Sequence, residues 1–332
     1  MKHSKITTLF ICSIVLLLLC GLASLAFGAR SVSFQDVIKA LFHSGRSTLN
    51  EIVVAERIPR TVFSIIAGAA LGVSGSLMQA ITRNPIADPS ILGVNTGASL
   101  FVVSGIAFFH IGTANEYIIF ALVGAAVTSI FVYGVGSLGY GGATPIKLAL
   151  AGAATSAALS SLVNAIILPR TEVMNAFRFW QVGSVSGATW EGITTVLPFI
   201  IIGLIIAIAV SPSLDTLSMG EEMAVGLGVR TGLVRFMGAM AGILLCGATT
   251  ALAGPIGFVG LMVPHIMRSF CGPNLRLIIP MSAIGGAILL TLSDVIGRLI
   301  GSPSELEAGI VTAFLGAPIL IIIARKAKVK AL

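Results

Sequence analysis

The chain has 332 residues, 56% of them hydrophobic and only 10% charged, with a formal net charge of +7 and a mean hydropathy of +1.04. Soluble domains carry about 25% charged residues, so a water-soluble fold, which would have to hide all of this apolar surface, is excluded. The positive balance does not signal nucleic acid, because the basic residues are scattered between apolar runs; anionic lipid headgroups are the more economical partner.

Runs free of Asp, Glu, Lys and Arg cover 6–29, 61–82, 89–115, 117–146, 148–169, 192–214, 236–267, 277–293 and 308–324. Each is near or above the ~17–25 residues a helix needs to cross the hydrocarbon core. None alternates strictly between apolar and polar, so helices are expected rather than a barrel. The run 236–267 contains Gly254-Pro255. Proline removes a backbone donor and disrupts a helix, so two spans are expected there and ten in all. The fold class read from these runs is an all-α polytopic membrane protein, with residues 1–332 forming a single transmembrane domain.

The first run follows Lys2 and Lys5, as a signal peptide would. It is long for an h-region and further spans follow, so it reads as a retained first helix. The hydrophilic stretch 28–60 comes next, with Arg57 and Arg60 at the mouth of the second span. An arginine in mid-membrane costs ~2.5–3.5 kcal/mol on insertion scales. Both are therefore expected at the water boundary, as snorkelling anchors or as fixed charge for a partner's carboxylates.

The second span carries Gly68/Gly72, a pair of small residues that lets helices approach closely, as does Gly238/Gly242 later. It also carries Gly72-Val73-Ser74-Gly75, the G-x-S-G pattern of intramembrane serine proteases. That chemistry needs a histidine at matching depth; His265 and His110 are the candidates, and close packing explains Ser74 better. Next, Asn84-Pro85 and Asp88-Pro89 in "RNPIADPS" form a tight turn, with a helix expected directly after Pro89.

The stretch "SPSLDTLSMGEEMAVGLGVRTG" (211–232) interrupts the apolar chain with Asp215, Glu221, Glu222 and Arg230. Glu221 and Glu222 keep it out of lipid, while Met223, Val225 and Leu227 offer an apolar ridge. Gly220, Gly226 and Gly228 permit sharp ends and close backbone approach. Farther on, Gly254-Pro255 and Pro264 break a short span. Such freed backbone is tolerated only where protein or a water-filled cavity satisfies it, which suits a transport pathway. Asp294 and Arg298 are spaced i,i+4 for a local ion pair. Ser304 to Glu307 reads as a capping box opening the last span. Cys12, Cys20, Cys246 and Cys271 have no metal-ligand spacing and are expected to fill space.

Ten spans put both termini on one side. If that side is the cytoplasm, twelve of the 20 basic residues face inward, among them Lys2, Lys328 and Lys330. The positive-inside rule favours this orientation modestly, although the 28–60 stretch, with Arg46 among its basic residues, opposes it locally. No G-x-x-x-x-G-K-[ST] phosphate loop is present, and no span carries acids suited to an ion relay. The ion-coupled secondary transporter, the runner-up class, requires such acids.

Four segments together carry a resemblance: "RIPRTVFSIIAGAALGVSGSLMQAITRNPIADPSILGVNTGASL", "LSMGEEMAVGLGV", "GPIGFVGLMVPHIMR" and "ELEAGIVTAFLGAPI". From about residue 57 to 320 the chain resembles the iron-siderophore and vitamin B12 permeases of bacterial ABC importers, the FecCD-type permeases. The resemblance implies a type II importer permease in the bacterial cytoplasmic membrane, multi-pass, with both termini cytoplasmic. By the same resemblance it is expected not to be an enzyme itself and to bind no cofactor directly, with ATP and Mg²⁺ on separate cytoplasmic ATPase subunits. A second permease subunit, identical or different, and an extracytoplasmic substrate-binding protein complete the assembly. The implied cargo is an iron(III)-siderophore complex, with vitamin B12 or haem as the nearest variants. Arg57, Arg60 and Arg298 match the positions that dock the binding protein. Leu217, Gly220, Glu221, Glu222, Met223, Val225, Gly226, Leu227 and Gly228 match the segment that couples to the ATPase.

Overall fold

A computed structural model describes residues 3–28, 30–42, 48–139 and 143–326. Lys2, Arg46, Lys328 and Lys330, which enter the charge count above, lie outside them. Thirteen α-helices occur among the described residues: α1 (His3–Ala26), α2 (Phe34–Phe42), α3 (Leu49–Thr82), α4 (Val94–Ser104), α5 (Ala114–Ser137), α6 (Pro145–Ile167), α7 (Thr171–Gln181), α8 (Trp190–Ser218), α9 (Glu221–Gly226), α10 (Thr231–Ala253), α11 (Val259–Cys271), α12 (Leu275–Ile300) and α13 (Ala308–Lys326). Ten of them coincide with the ten expected spans. Seven are long and apolar enough to cross a membrane: α1, α3, α5, α6, α8, α10 and α12. Segments 94–109 and 308–322 are shorter apolar helices, and α11 has 13 residues. The chain threads back and forth so that the first and last spans begin and end on the side that carries α9.

Several boundaries differ from the sequence reading. The 28–60 stretch is not a plain loop: it holds α2 and the first turns of α3. Helix α3 starts ahead of its apolar run because Thr48 and Glu51 close a capping box, and Pro59 is absorbed within it. Thr113 and Glu116 cap α5 in the same way. The box expected at Ser304–Glu307 does not form. Ser304 Oγ turns back to donate to the Gly301 carbonyl at 2.8 Å, and the Glu307 carbonyl accepts from Ile310 N at 3.0 Å as α13 begins. Nor does a helix follow Pro89 directly. Asp88 caps a 3-10 turn, Pro89–Leu92, which ends at Gly93 in the left-handed region (φ 73°) before α4 starts.

This 3-10 turn is not a surface feature. Pro89 lies against Gly260 of α11, and the Ile91 carbonyl abuts Gly152 of α6. Non-helical backbone at such depth survives because neighbouring helices bury it.

Helix α3 is the central element, with 78% of its apolar window buried, and α10 follows at 67%. Lipid tails are as apolar as leucine, so burial from water does not draw these helices together; close van der Waals contact does. Small residues make that contact possible. A Cβ on Gly75 would overlap the Gly260 carbonyl, and one on Gly68 would overlap that of Gly286. The expected Gly68/Gly72 seam is thus real, and its partner is α12. Phe63, Leu77 and Met78 fill the remaining space along α3.

Candidate functional site

The two ends of the bundle carry the charged residues, and they are built differently. At one end the polypeptide leaves α1 at Ala26 with unsatisfied terminal carbonyls, as every helix does. Arg57 of α3 satisfies them. Its Nη1 donates to Leu25 O at 3.0 Å and Ala26 O at 3.2 Å, and its Nη2 to Arg30 O at 2.6 Å. A cation there also complements the negative end of the helix dipole. Arg298 of α12 reaches the same place, donating to Ser24 O at 3.0 Å and Ser24 Oγ at 2.8 Å. Gly28 leaves room for both guanidiniums: a Cβ there would lie 2.5 Å from Arg57 Nη2 and 3.4 Å from Arg298 Nη1.

Asp294, 1% exposed, ties this group together. It accepts Nε and Nη2 of Arg60 at 3.0 and 2.7 Å, and pairs with Arg298 at 3.0 Å through the expected i,i+4 spacing. Fork-to-fork pairing of this kind is among the stronger polar contacts. Both faces of the carboxylate are engaged, which leaves it unsuited to relaying ions. The outer Nη1 of Arg60 pairs with Glu305 at 2.7 Å. A cavity of about 310 Å³ opens beside the pair, lined by Arg30, Glu56, Arg57, Arg60, Arg298 and Glu305, with Val53 and Ser186. The three arginines singled out in the sequence are therefore brought together, though as an internal network: Arg298 is 1% and Arg57 9% exposed. The sequence reading missed Ser24, Gly28 and Glu305, which have no spacing signal relative to α3.

At the opposite end, α8 runs to Ser218 and α9 follows after a sharp turn. Gly220 (φ 130°) and Gly228 (φ 80°) adopt left-handed conformations at either side of α9, where a side chain would be strained. Ala224 is buried beneath, as is Leu217, so Leu217 belongs to the support and not to the presented surface. Met219, Met223, Val225 and Leu227 are 55–70% exposed; all but Val225 line an open groove of about 860 Å³ that also includes Glu221 and Glu222. The polar island is only partly free. Glu221 pairs with Arg235 of α10 at 2.9 Å, and that hydrogen bond holds its carboxyl below the usual carboxylate range. Asp215 accepts from Leu275 N at 2.6 Å, capping α12, and Arg83 donates to Leu217 O at 2.8 Å. The end of α8 is thus tied to the end of α3 and the start of α12, while α9 itself packs on α8 and α10.

Ser74 donates to the Gly242 carbonyl at 2.7 Å, so its hydroxyl serves packing between α3 and α10. Cys20, Cys246 and Cys271 are buried as space-filling residues, whereas Cys12 is exposed on α1 and fills no interior space.

The match to the FecCD transport family covers residues 16–326. The chain belongs to that family. It is 41% identical over 327 residues to the Fe(3+)-citrate import system permease protein YfmD of Bacillus subtilis (strain 168), covering 98% of this chain and 97% of the relative. It is 40% identical over 313 residues to the ferric enterobactin transport system permease protein FepD of Escherichia coli (strain K12), covering 94% and 93%. The fold superposes with a TM-score of 0.84 on a solved structure described as an inward-facing conformation of a metal-chelate type ABC transporter. There the identity is 26%, and 97% of this chain and 99% of the other are covered. The FecCD chain described here is a multi-pass membrane permease subunit of an ABC transporter.

Proposed function

We propose that the chain moves an iron(III)-siderophore complex across the bacterial cytoplasmic membrane, driven by ATP hydrolysis on separate subunits docked against α9. The relatives named for ferric citrate and ferric enterobactin support an iron chelate as cargo. The observation that carries the coupling reading is the exposed apolar surface of Met223 and Val225 on α9 and of Leu227 just past its end, in a segment continuous with α8 and fastened to α10 by the Glu221–Arg235 pair. A solvated loop has no need of such a ridge. A partner that closes beneath α9 would transmit a rigid-body push to α8 and α10. ATP and Mg²⁺ belong to that partner, and this chain binds neither.

In this reading α9 and both termini lie in the cytoplasm. The arginine end faces outward and receives a soluble binding protein by its charge. Residues 1–332 act as one permease domain beside a second permease subunit. The pathway runs along α6. Only 11% of its apolar window is buried, yet past the exposed Ile146 and Leu150 its outer stripe continues as Ala153, Ala157, Ser160, Ser161 and Asn164, small or polar residues with Leu162 beside them. The exposed faces of α1 and α8, by contrast, are built from Leu18, Leu19, Ile201, Ile205 and Ile208, which suit lipid.

The test is reconstitution in vesicles. With its ATPase and loaded binding protein, the chain should accumulate ferric siderophore only when ATP is supplied on the α9 side. Concentrative uptake by the lone chain under an ion gradient would overturn the proposal.

A further inference from the structure

We infer that Glu305 is an internal stand-in for the carboxylate of the docking partner, and that docking proceeds by exchange at a single guanidinium edge, the outer Nη1 of Arg60. The inference rests on the docking reading above and narrows it. Four arginines line the cavity at this end; Arg30 sits exposed at its rim, and the three deeper ones are not equivalent. Arg57 donates to three backbone carbonyls around the end of α1. Arg298 is spent on Ser24 and Asp294 and is 1% exposed. Taking either one away would uncap α1 or strip a buried carboxylate, so neither is available to a visitor. The inner edge of Arg60 is likewise committed to Asp294.

What remains is Arg60 Nη1, and its partner differs in kind from the others. Glu305 is 39% exposed, against 1% for Asp294. An ion pair at the water boundary contributes little net stability, so it can be given up cheaply. The backbone next to it need not move in the process. Leu306 N donates to Gly297 O at 3.2 Å and pins the loop to the end of α12, leaving the Glu305 side chain free to swing. The cavity of about 310 Å³ has room for an acidic side chain. Arg30, exposed at its rim, supplies a second donor once a carboxylate has entered. The occupant is therefore a Glu or Asp side chain on the face of a soluble binding protein. Glu305 competes with it, keeping the resting site electrically satisfied and ensuring that release is easy.

The test uses the intact permease–ATPase complex in lipid nanodiscs. The probe is the ferric-siderophore binding protein of the same bacterium, titrated at low and at high salt. Wild-type chain, Glu305→Gln and Glu305→Ala are compared. Position 305 is at the surface, so both variants should assemble normally. Removing the competitor should tighten binding several-fold at low salt and steepen its salt dependence, because the net positive charge at the cavity rises. Wild-type binding that responds to salt, with variants that bind equally or more weakly, overturns the exchange and leaves electrostatic docking standing. Wild-type binding that is absent or indifferent to salt overturns both.

Discussion

Glu221 reaches back from the first turn of α9 to Arg235 in α10, 2.9 Å away, so the short helix is fastened to the span that follows it. The neighbouring Glu222 is exposed, with its side chain beside the groove. Two adjacent acids therefore have different tasks. Glu221→Lys should release α9 from Arg235, which is 7% exposed, and weaken ATPase association at every salt concentration by misplacing the ridge. Glu222→Lys should act only through surface charge, with an effect that fades as salt rises. Co-purification with the ATPase at two ionic strengths separates them; identical salt profiles for the two variants would reject the division.

The same pair has a pH signature. The Arg235 hydrogen bond depresses the Glu221 carboxyl below its usual value. A depressed acid contributes stability that is complete above the unfolded-state pKa of about 4.3 and is lost as pH falls through the folded value. Amide exchange in α9, taken relative to the intrinsic rate at each pH, should thus be constant from neutral pH down to the mid-carboxylate range and accelerate below it. In Glu221→Gln that acceleration should vanish. An unchanged profile in the variant would remove Glu221 as its source.

Gly75 and Gly260 form the tightest approach between α3 and α11, with no room for a methyl group. Gly75→Ala must push the helices apart or distort one of them, and overpacking of this sort costs roughly 1–3 kcal/mol. Thermal unfolding in detergent should show a clear loss of stability. Gly226→Ala serves as a control, since a Cβ there meets nothing. Equal melting temperatures for the two variants would contradict the packing argument.

How far these features could be read from the sequence depends on their range. The spans were legible because freedom from charge over about 20 residues is a local and nearly sufficient signal. The turns at Gly220 and Gly228 were legible because glycine marks positions that side chains avoid. The Asp294–Arg298 pair followed from spacing on one helix. The arginine network was only half legible. Arg57, Arg60 and Arg298 stood out as charges beside apolar runs, and that position suggested exposure. Their burial depends on carbonyls of α1 and on Asp294 and Glu305, more than 230 residues from Arg60 in the case of Asp294. No local pattern reports such pairings. The capping boxes at Thr48 and Thr113 carried the same S/T-x-x-E signal as Ser304 and were passed over. At Ser304 the carbonyl of Gly301 captured the hydroxyl first.

Asp294 sits between Arg60 and Arg298 with both oxygens engaged. Deleting one member of a buried charge network strands the others, at a cost of about 3–5 kcal/mol. Asp294→Ala should therefore lower the amount of folded protein in the membrane, whether or not a binding protein is present. Asp294→Asn keeps the shape and some hydrogen bonds and should lose less. Normal folding of Asp294→Ala with selective loss of docking would show that the carboxylate serves the partner and not the network.

The stripe on α6 offers the sharpest check of where the pathway lies. Ser161 and Ile205 both sit in the interior of apolar helices, and both are exposed on this subunit. Composition divides them: the Ser161 hydroxyl, although bonded to Ala157 O at 3.0 Å, gains nothing from lipid, whereas isoleucine is moved out of water by facing it. In a background with Cys12 replaced by Ser, since it is the exposed native thiol, cysteine at 161 should react with a water-soluble maleimide in intact vesicles. The reaction should slow when the transporter is locked by a nucleotide analogue, because closure excludes water from the path. Cysteine at 205 should remain unlabelled throughout. A thiolate is the reactive species, so burial in lipid suppresses the reaction twice, by excluding the reagent and by disfavouring the charge. Labelling at 205 but not at 161 would place the aqueous route on the α8 side of the subunit and assign the α6 stripe to helix packing alone.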